Sequence, residues 1–280
     1  MKRVLVIVVT YNGMPWLERC LSSVAGDADL FVMDNDSTDG SADFVAAHFP
    51  QAKLVRSADN LGFSRPNNLG MQYALDKGYE YVYLLNQDAW LEAGALGRLL
   101  EAAQAHPEFG LLSPLQMTDG YQSLDYQFSR CFSGPSGGTE PVPVRRVMAA
   151  HWLVPVAVLR RVGLFNEDLF PHWGQDDDWC NRLHFSSLKI GVIPEARAVH
   201  DRAQRKDSLE TLARRNYYTA SLVKLADPGN PLWVAFLYVC LYTLVKAVKY
   251  RSALPFKYFR LICSLLPQVR SARARALARV

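Results

Sequence analysis

Short apolar runs that alternate with helical patterns organise the first 112 residues of this chain. Residues 4–9 are mostly β-branched and lead into Thr10-Tyr11-Asn12, which predicts a buried strand that enters a turn. Further strands are predicted at 30–33, 53–56, 81–85 and 109–112, and helices at 15–24, 42–48, 66–77 and 94–106. This alternation implies right-handed crossovers and an α/β fold whose mainly parallel sheet is covered by helices on both faces.

The pattern resumes after a stretch rich in Gly, Ser and Pro. Residues 119–145 contain Ser133-Gly134-Pro135-Ser136-Gly137-Gly138, which favours a mobile surface loop over an active-site lid. Beyond it, strands are predicted at 148–154 and 189–194, and helices at 156–162, 179–186 and 207–226. We expect one α/β domain over residues 1–227, with a separate C-terminal segment over residues 228–280.

The charge is divided unevenly between these two segments. Residues 228–280 contain nine Lys or Arg and no Asp or Glu, so they carry +9. Because the whole chain carries +4, the first 227 residues carry −5. The five cysteines are scattered and contain no CxxC pair, which is typical of reduced thiols in a cytosolic protein. No export signal is evident at the N-terminus, so the chain is predicted to be cytoplasmic.

The basic C-terminal segment is also strongly apolar. Residues 232–245 form a run of fourteen without a charge, which is shorter than the roughly 20 residues that span a bilayer. Apolar helices with cationic flanks suit the surface of an anionic membrane leaflet, here the cytoplasmic face of the inner membrane. An oligomer interface is the alternative. Nucleic-acid binding is disfavoured because the rest of the chain is acidic and shows no recognisable nucleic-acid-binding module.

Polar clusters directly follow three of the predicted strands. They are Thr10-Tyr11-Asn12, Asp34-Asn35-Asp36 and Asn86-Gln87-Asp88. In open α/β sheets the ligand site lies outside the carboxyl ends of the strands, so these clusters should meet at one rim. The sequence contains neither GxGxxG after the first strand nor GxxxxGK[ST]. Amides, carboxylates and an aromatic ring suit a nucleotide whose phosphates are neutralised by a cation such as Mg2+ or Mn2+.

Taken together, these motifs resemble those of family 2 glycosyltransferases. The similar segments are Thr10-Tyr11-Asn12, Asp34-Asn35-x-Ser37-Thr38-Asp39-Gly40-Ser41, Asn60-x-Gly62-Phe63, Asn67-Asn68-x-Gly70, Leu85-Asn86-x-Asp88 and Trp173-Gly174-Gln175-Asp176-Asp177-Asp178-x-x-x-Arg182. The resemblance covers about residues 3–225 and is greatest to the bacterial rhamnosyltransferase-like branch. It implies a GT-A fold and an inverting transfer of a sugar, L-rhamnose from dTDP-rhamnose, to a lipid-linked or other saccharide during surface polysaccharide synthesis.

Two alternatives stay open at this point. Within the same family, the donor would be a UDP-hexose or a UDP-N-acetylhexosamine. In a different class, the chain would be a noncatalytic subunit that binds a sugar nucleotide, as suggested by Gln175 where the family has Glu and by Asn86 where the metal motif has its first carboxylate.

The resemblance also implies a role for individual residues. Tyr11 would stack on the base or ribose, and the Asn35 amide would both donate to and accept from a pyrimidine. The full predicted donor-binding set is Thr10, Tyr11, Asn12, Asp34, Asn35, Asn60, Gly62, Phe63, Asn67, Asn86 and Gln87. Asp88 and His200 are the predicted ligands of a divalent metal, Mg2+ or Mn2+.

An inverting transfer also needs a base to take the proton of the acceptor hydroxyl. The resemblance assigns this role to Asp176, with Asp178 as a supporting or acceptor-contacting residue and Asp177 facing solvent. Neighbouring carboxylates would raise the pKa of Asp176.

Overall fold

The computed structural model describes residues 3–201 and 214–279. In this part of the chain, nine strands form one sheet. They are β1 Val4–Thr10, β2 Asp29–Asp34, β3 Lys53–Arg56, β4 Tyr81–Asn86, β5 Ala89–Leu91, β6 Phe109–Met117, β7 Val142–Val144, β8 His151–Pro155 and β9 Lys189–His200. Their order across the sheet is β3-β2-β1-β4-β8-β6-β9-β5, with β7 paired to β9.

The helices of the first 201 residues are α1 Met14–Ser22, α2 Ser41–His48, α3 Ser64–Lys77, α4 Ala95–Ala105, α5 Tyr126–Ser129, α6 Val156–Val162 and α7 Gln175–Phe185. The second described range begins with a π-helical turn, Arg214–Thr219, which continues into α8, Ala220–Ala226. The tail contains α9 Leu232–Tyr250, α10 Leu254–Ser264 and α11 Leu266–Leu277.

The expected α/β architecture is confirmed, but the sheet is mixed. Strands β3, β2, β1 and β4 pair with one another in parallel. Strand β8 then pairs antiparallel with both β4 and β6, and β5 and β7 pair antiparallel with β9. Strand β1 shows why the first run is so apolar, since Val4, Val6 and Val8 enter one core cluster while Leu5 and Ile7 enter another. Alternate residues of a strand point to opposite faces, so a strand covered on both faces needs apolar residues throughout.

Several predicted boundaries were wrong. Strands β6 and β9 run well beyond the predicted ends, and the predicted strand at 148–154 begins only at His151. The predicted loop at 119–145 contains α5 and β7, and β5 was not predicted. Of the predicted helix 207–226, residues 207–213 lie outside the described residues.

Helix α9 is longer than the uncharged run that predicted it. It continues through Lys246 and Lys249 to reach 19 residues. Its Leu232–Lys249 part is long enough and apolar enough to cross a membrane, judged by length and composition alone, and only 17% of that window is buried. A third core cluster joins this tail to the body. It combines Phe170, Tyr217 and Leu222 with Val239 and Ile262 of the tail.

Candidate active site

Two adjoining compartments open at the carboxyl ends of β1, β2 and β4. The small compartment has a volume of about 500 Å³ and the large one about 830 Å³. Phe63, Asn86 and His172 line both, so together they form one continuous cleft. Eight of the eleven predicted donor-binding residues line the small compartment: Tyr11, Asn12, Asn35, Asn60, Gly62, Phe63, Asn86 and Gln87. The predicted convergence of the polar clusters at one rim is therefore observed.

Gln87 fixes the end of β1 beside the small compartment. Its Oε1 accepts hydrogen bonds from the Thr10 hydroxyl at 2.9 Å and from the Tyr11 backbone N–H at 2.8 Å, while its Nε2 donates to the Tyr11 carbonyl. Thr10 is fully buried behind this wall, so its predicted donor contact is replaced by a structural role. The ring of Tyr11 is 48% exposed and remains available to a ligand.

Asn12 ends the turn that follows Tyr11. Its backbone adopts a positive φ of 50°, a conformation that Asn tolerates better than most residues. Its N–H donates to Ser37 Oγ and its Oδ1 accepts from the Thr38 N–H, so Asn12 ties the β1 turn to the turn after β2.

Asn35 organises the loop that forms the opposite wall. Its Nδ2 donates to Asn60 Oδ1 and to the Gly62 carbonyl, both at 2.9 Å, and its Oδ1 accepts from the Leu61 N–H. Neighbouring Asp34 accepts from the Ser37 N–H through Oδ1. Its buried Oδ2 has no hydrogen-bond partner among the residues described. Asp34 therefore stays a predicted contact for the base, whereas the amide of Asn35 is already used to hold the loop.

The same loop is held by the segment just before α7. Gly62 has a φ of 82°, and a Cβ there would lie 2.6 Å from the Pro171 carbonyl oxygen. That oxygen accepts hydrogen bonds from the N–H groups of Phe63 and Ser64. Asn67 donates to the Phe63 carbonyl from a buried position at the start of α3, so its predicted donor contact is also replaced by a structural role.

The two predicted metal ligands lie side by side. Asp88 follows β4, and β5 pairs Ala89 with His200 at the end of β9. Asp88 Oδ1 and His200 Nε2 are 3.4 Å apart, and both side chains are buried. Among the described residues no group of three or more His, Cys, Asp or Glu side chains could hold a metal ion. The pair would therefore supply two ligands and leave the others to water and phosphate.

Buried His151 lies close to this pair. Its Nε2 is 3.0 Å from the Val199 carbonyl oxygen and its Nδ1 is 2.9 Å from the Tyr83 hydroxyl. Because a carbonyl only accepts, Nε2 donates and Nδ1 accepts from Tyr83. Burial lowers the pKa of His151 to about 3, so the ring stays neutral and, from its position on β8, connects β4 to β9.

Asp176 lines the large compartment at the start of α7. Gly174 precedes the helix with a φ of 88°, and the three aspartates occupy the first turn. Burial and the nearby carboxylate of Asp177 raise the pKa of Asp176 to about 6. Asp177 is itself paired with Arg146 at 2.7 Å. The rise in pKa that the sequence predicted is therefore present. Asp177 is partly exposed to solvent, as predicted, and also pairs with Arg146.

Asp178 does not line the cleft, so of its two predicted roles this position favours the supporting residue over the acceptor contact. Its Oδ2 accepts from Arg182 Nε at 2.9 Å and from Asn166 Nδ2 at 2.8 Å. Arg182 also donates to the carbonyls of Val162 and Leu164. This buried pair connects α7 to the end of α6. Burial raises the pKa of Asp178, and Arg182 opposes that rise.

The cleft also contains residues that the motifs did not indicate. Tyr126 and Arg130 reach the large compartment from the stretch predicted to be a surface loop, and Arg146 reaches it from just after that stretch. Trp16 donates through Nε1 to Asp201 at 3.0 Å, and both line the small compartment. Asp201 immediately follows His200 in the sequence. This position next to a predicted metal ligand is the one feature of the sequence that could have indicated Asp201 as a site residue.

Comparison with known proteins adds to this geometry a family match over the first part of the chain. Residues 5–124 match the family model described as glycosyl transferase family 2. The chain carries a glycosyl transferase family 2 domain. It is an enzyme of the glycosyltransferase class, and its fold is similar to that of GT-A glycosyltransferases, as the motifs implied.

Two curated relatives resemble this glycosyltransferase over most of its length. The N-acetylglucosaminyl-diphospho-decaprenol L-rhamnosyltransferase of Mycobacterium tuberculosis (strain CDC 1551 / Oshkosh) is 27% identical over 268 residues, covering 82% of this chain and 86% of the relative. The dTDP-rhamnosyl transferase RfbF of Shigella flexneri is 22% identical, covering 69% of this chain and 67% of the relative. The crystal structure of S. aureus TarS 1-349 superposes with a TM-score of 0.59 at 16% identity, covering 85% of this chain and 69% of that one.

The family model covers only part of the glycosyltransferase site. It includes the motifs of the small compartment through Asp88, but it ends before Asp176 and His200. Their roles in this glycosyltransferase therefore depend on the geometry of the cleft.

Proposed function

We propose that this glycosyltransferase transfers L-rhamnose from dTDP-L-rhamnose, with inversion, to a hydroxyl of a saccharide linked to a lipid diphosphate. The rhamnosyltransferase relatives support the choice of sugar and acceptor. The observation that carries the proposal is the position of Asp176. Its carboxylate lines the large compartment, which adjoins the compartment built from the family motifs.

Asp176 acts as the general base. Its pKa of about 6 leaves it mostly ionised at neutral pH, yet basic enough to accept a proton. The acceptor hydroxyl gives its proton to the Asp176 carboxylate as its oxygen forms a bond to the anomeric carbon. The bond from that carbon to the diphosphate breaks, and the nucleoside diphosphate leaves with the electron pair. Attack opposite the leaving group inverts the configuration.

The small compartment binds the nucleoside. Tyr11 offers its exposed ring as a stacking surface, and Gln87 holds the backbone of Tyr11 in place. Asp34 Oδ2, which has no hydrogen-bond partner in the described part of the chain, is suited to accept the imide N–H of thymine. Asn35, Asn60 and Gly62 shape the loop against which the nucleoside rests.

Asp88 and His200 would hold a divalent cation, Mg2+ or Mn2+. Their ligand atoms are close enough for one cation to contact both, and a carboxylate with an imidazole suits Mn2+ while leaving positions for phosphate oxygens. When bound, such a cation neutralises the charge that develops on the leaving diphosphate.

The large compartment suits a saccharide that is linked to a diphosphate. Trp173 and Tyr126 are 38% and 71% exposed and offer aromatic faces to a sugar ring. Arg130 lines the same compartment and would attract the diphosphate that links the saccharide to its lipid. The enzyme would then work on the cytoplasmic side of the membrane that holds the lipid.

Product analysis tests the proposal directly. The purified chain is incubated with Mn2+, a short-chain prenyl diphosphate that carries N-acetylglucosamine, and either dTDP-L-rhamnose or the UDP derivatives of glucose, galactose and N-acetylglucosamine. Mass spectrometry should detect an added deoxyhexose only with dTDP-L-rhamnose. Transfer from a UDP-sugar alone would replace the proposed donor. If the sugar nucleotide binds without any transfer, the noncatalytic alternative is correct.

A further inference from the structure

An apolar stripe runs along one side of α9. Six large side chains on this side are exposed: Trp233, Leu237, Leu241, Leu244, Val245 and Val248. At about 100° per residue, they fall within an arc of about 120°. Trp233 is 72% exposed and Val248 is 78% exposed, so the stripe is open from the first turn of the helix to the last. A continuous exposed apolar face of this kind marks an interaction surface.

The opposite side of α9 is packed against the body. Ala235 and Val239 are fully buried in the third core cluster. Thr243 forms a hydrogen bond with the hydroxyl of buried Tyr217 in the π-helical turn. Crossing a bilayer would expose these contacts to lipid. Although α9 is long enough to span a membrane, its packing keeps it along the surface of the molecule.

The charge of the tail favours an anionic partner. Residues 228–280 contain nine Lys or Arg and no Asp or Glu. Lys249 and Arg251 are exposed at the end of α9, and Lys257 and Arg260 are exposed on α10, which packs against α9. Arg273 is used differently, because it donates to the Leu225 carbonyl at 3.0 Å and holds α11 on α8. A self-association surface would bring these like charges together, whereas anionic lipid would neutralise them.

The stripe is connected to the large compartment of the cleft. Thr219, Ala220 and Val223 line that compartment. The next residue, Lys224, lies over the ring of Tyr238 on α9, with Nζ 5.8 Å from the centroid. The π-helical turn and α8 therefore have the cleft on one side and α9 on the other.

We propose that the exposed stripe of α9 docks the enzyme on an anionic lipid bilayer, with the helix lying in the interface, and that this brings the large compartment to the membrane surface. The partner is the bilayer, and a second copy of the chain is the alternative that the test excludes. The proposal rests on the proposed function only for the purpose of docking, which is to give the enzyme access to a lipid-linked acceptor.

The test uses the full chain and sedimentation with vesicles. Phosphatidylcholine vesicles that contain phosphatidylglycerol should bind the enzyme, and added salt should weaken the binding. Leu241→Glu combined with Leu244→Glu should lower the partition coefficient by at least about tenfold, since two apolar contacts are replaced by charges. Leu69→Glu is the matched control, because Leu69 is an exposed leucine on α3, and it should bind like the parent.

Circular dichroism should show that all variants remain folded, since the substituted leucines are exposed. Transfer to a short-chain acceptor in vesicle-free solution should be unchanged in the double variant, so failed docking and failed catalysis are distinguishable. Equal vesicle binding by the double variant and the parent would overturn the proposal. A concentration-dependent dimer in sedimentation velocity that the double variant abolishes, without vesicle binding by the parent, would assign the stripe to a second copy instead.

Discussion

Asp176 and Asp178 are two residues apart and face different surroundings. Residues two positions apart on an α-helix point in directions about 200° apart. Asp176 therefore faces the cleft, whereas Asp178 faces the interior of the protein. The sequence could not separate them, because the predicted helix began at Trp179 and left the aspartates in a loop. With the helix beginning at Gln175, Arg182 lies one turn after Asp178 and pairs with it.

Replacing each aspartate by its amide should separate the two roles. We expect Asp176→Asn to lower turnover by about 10²- to 10⁴-fold, the usual contribution of a general base, with little loss of stability. We expect Asp178→Asn to lower the free energy of unfolding by about 3–5 kcal/mol, because Arg182 loses its buried partner. Urea unfolding and initial rates measure the two effects. A stable Asp178→Asn protein without turnover would restore the catalytic role of Asp178.

The pH dependence of the rate should follow Asp176. Its carboxylate is the active base only when ionised. The value of kcat/KM should therefore be low below a pH of about 6, where the carboxylate is protonated, and should rise as the pH increases through that value. Gln175→Glu adds a negative charge beside it, which should move this acid limb to higher pH by about 0.5–1 unit. Gln175→Ala, the control, should change the rate without moving the limb upward. An unmoved limb in Gln175→Glu would argue against Asp176 as the titrating base.

At the scale of elements, the local sequence pattern predicted the buried strands. It failed for strands whose existence or length depends on pairing with a distant strand. Strand β3 and helix α6 match their predicted bounds, and β1 differs by one residue. Strand β5 has only three residues and exists because it pairs with β9, more than a hundred residues later. That pairing places Asp88 beside His200. The family motifs indicated both ligands, but only the tertiary structure shows what brings them together.

The start of α7 depends on Gly174. A Cβ there would lie 2.4 Å from Thr219 Cγ2, and the backbone φ of 88° is strained for any L side chain. We expect Gly174→Ala to lower the free energy of unfolding by about 1–3 kcal/mol and to reduce turnover, since Asp176 moves with the helix start. Gly97→Ala in α4 is the matched control, because nothing lies within 4 Å of its added methyl group. It should be neutral or stabilising by up to about 1 kcal/mol in thermal unfolding. Equal behaviour of the two variants would contradict this account.

At the scale of the molecule, the predicted boundary at residue 227 divides a shared core. Leu222 and Leu225 precede it and Val239 and Ile262 follow it, yet all four belong to one buried cluster. The sequence suggested a boundary because charge and hydropathy change there. Composition records that change, but it carries no information on which apolar faces meet.

Ending the chain after Asp227 should therefore do more than remove a membrane contact. We expect the truncated protein to lose more than about 5 kcal/mol of stability or to fail to fold, since even one buried leucine contributes about 2–5 kcal/mol. Thermal unfolding and the binding of a hydrophobic dye measure the exposed cluster. An unchanged unfolding temperature would show that residues 1–227 are an independent domain.

The order of strands in the sheet limits when this enzyme can fold during its synthesis. Strand β8 lies between β4 and β6, so the segment matched by the family model, residues 5–124, contains two strands separated by one that it lacks. As the ribosome releases the chain, that gap cannot close until residue 155 has emerged, and His200 arrives later still. A partly synthesised chain therefore exposes the nucleotide motifs before it can use them.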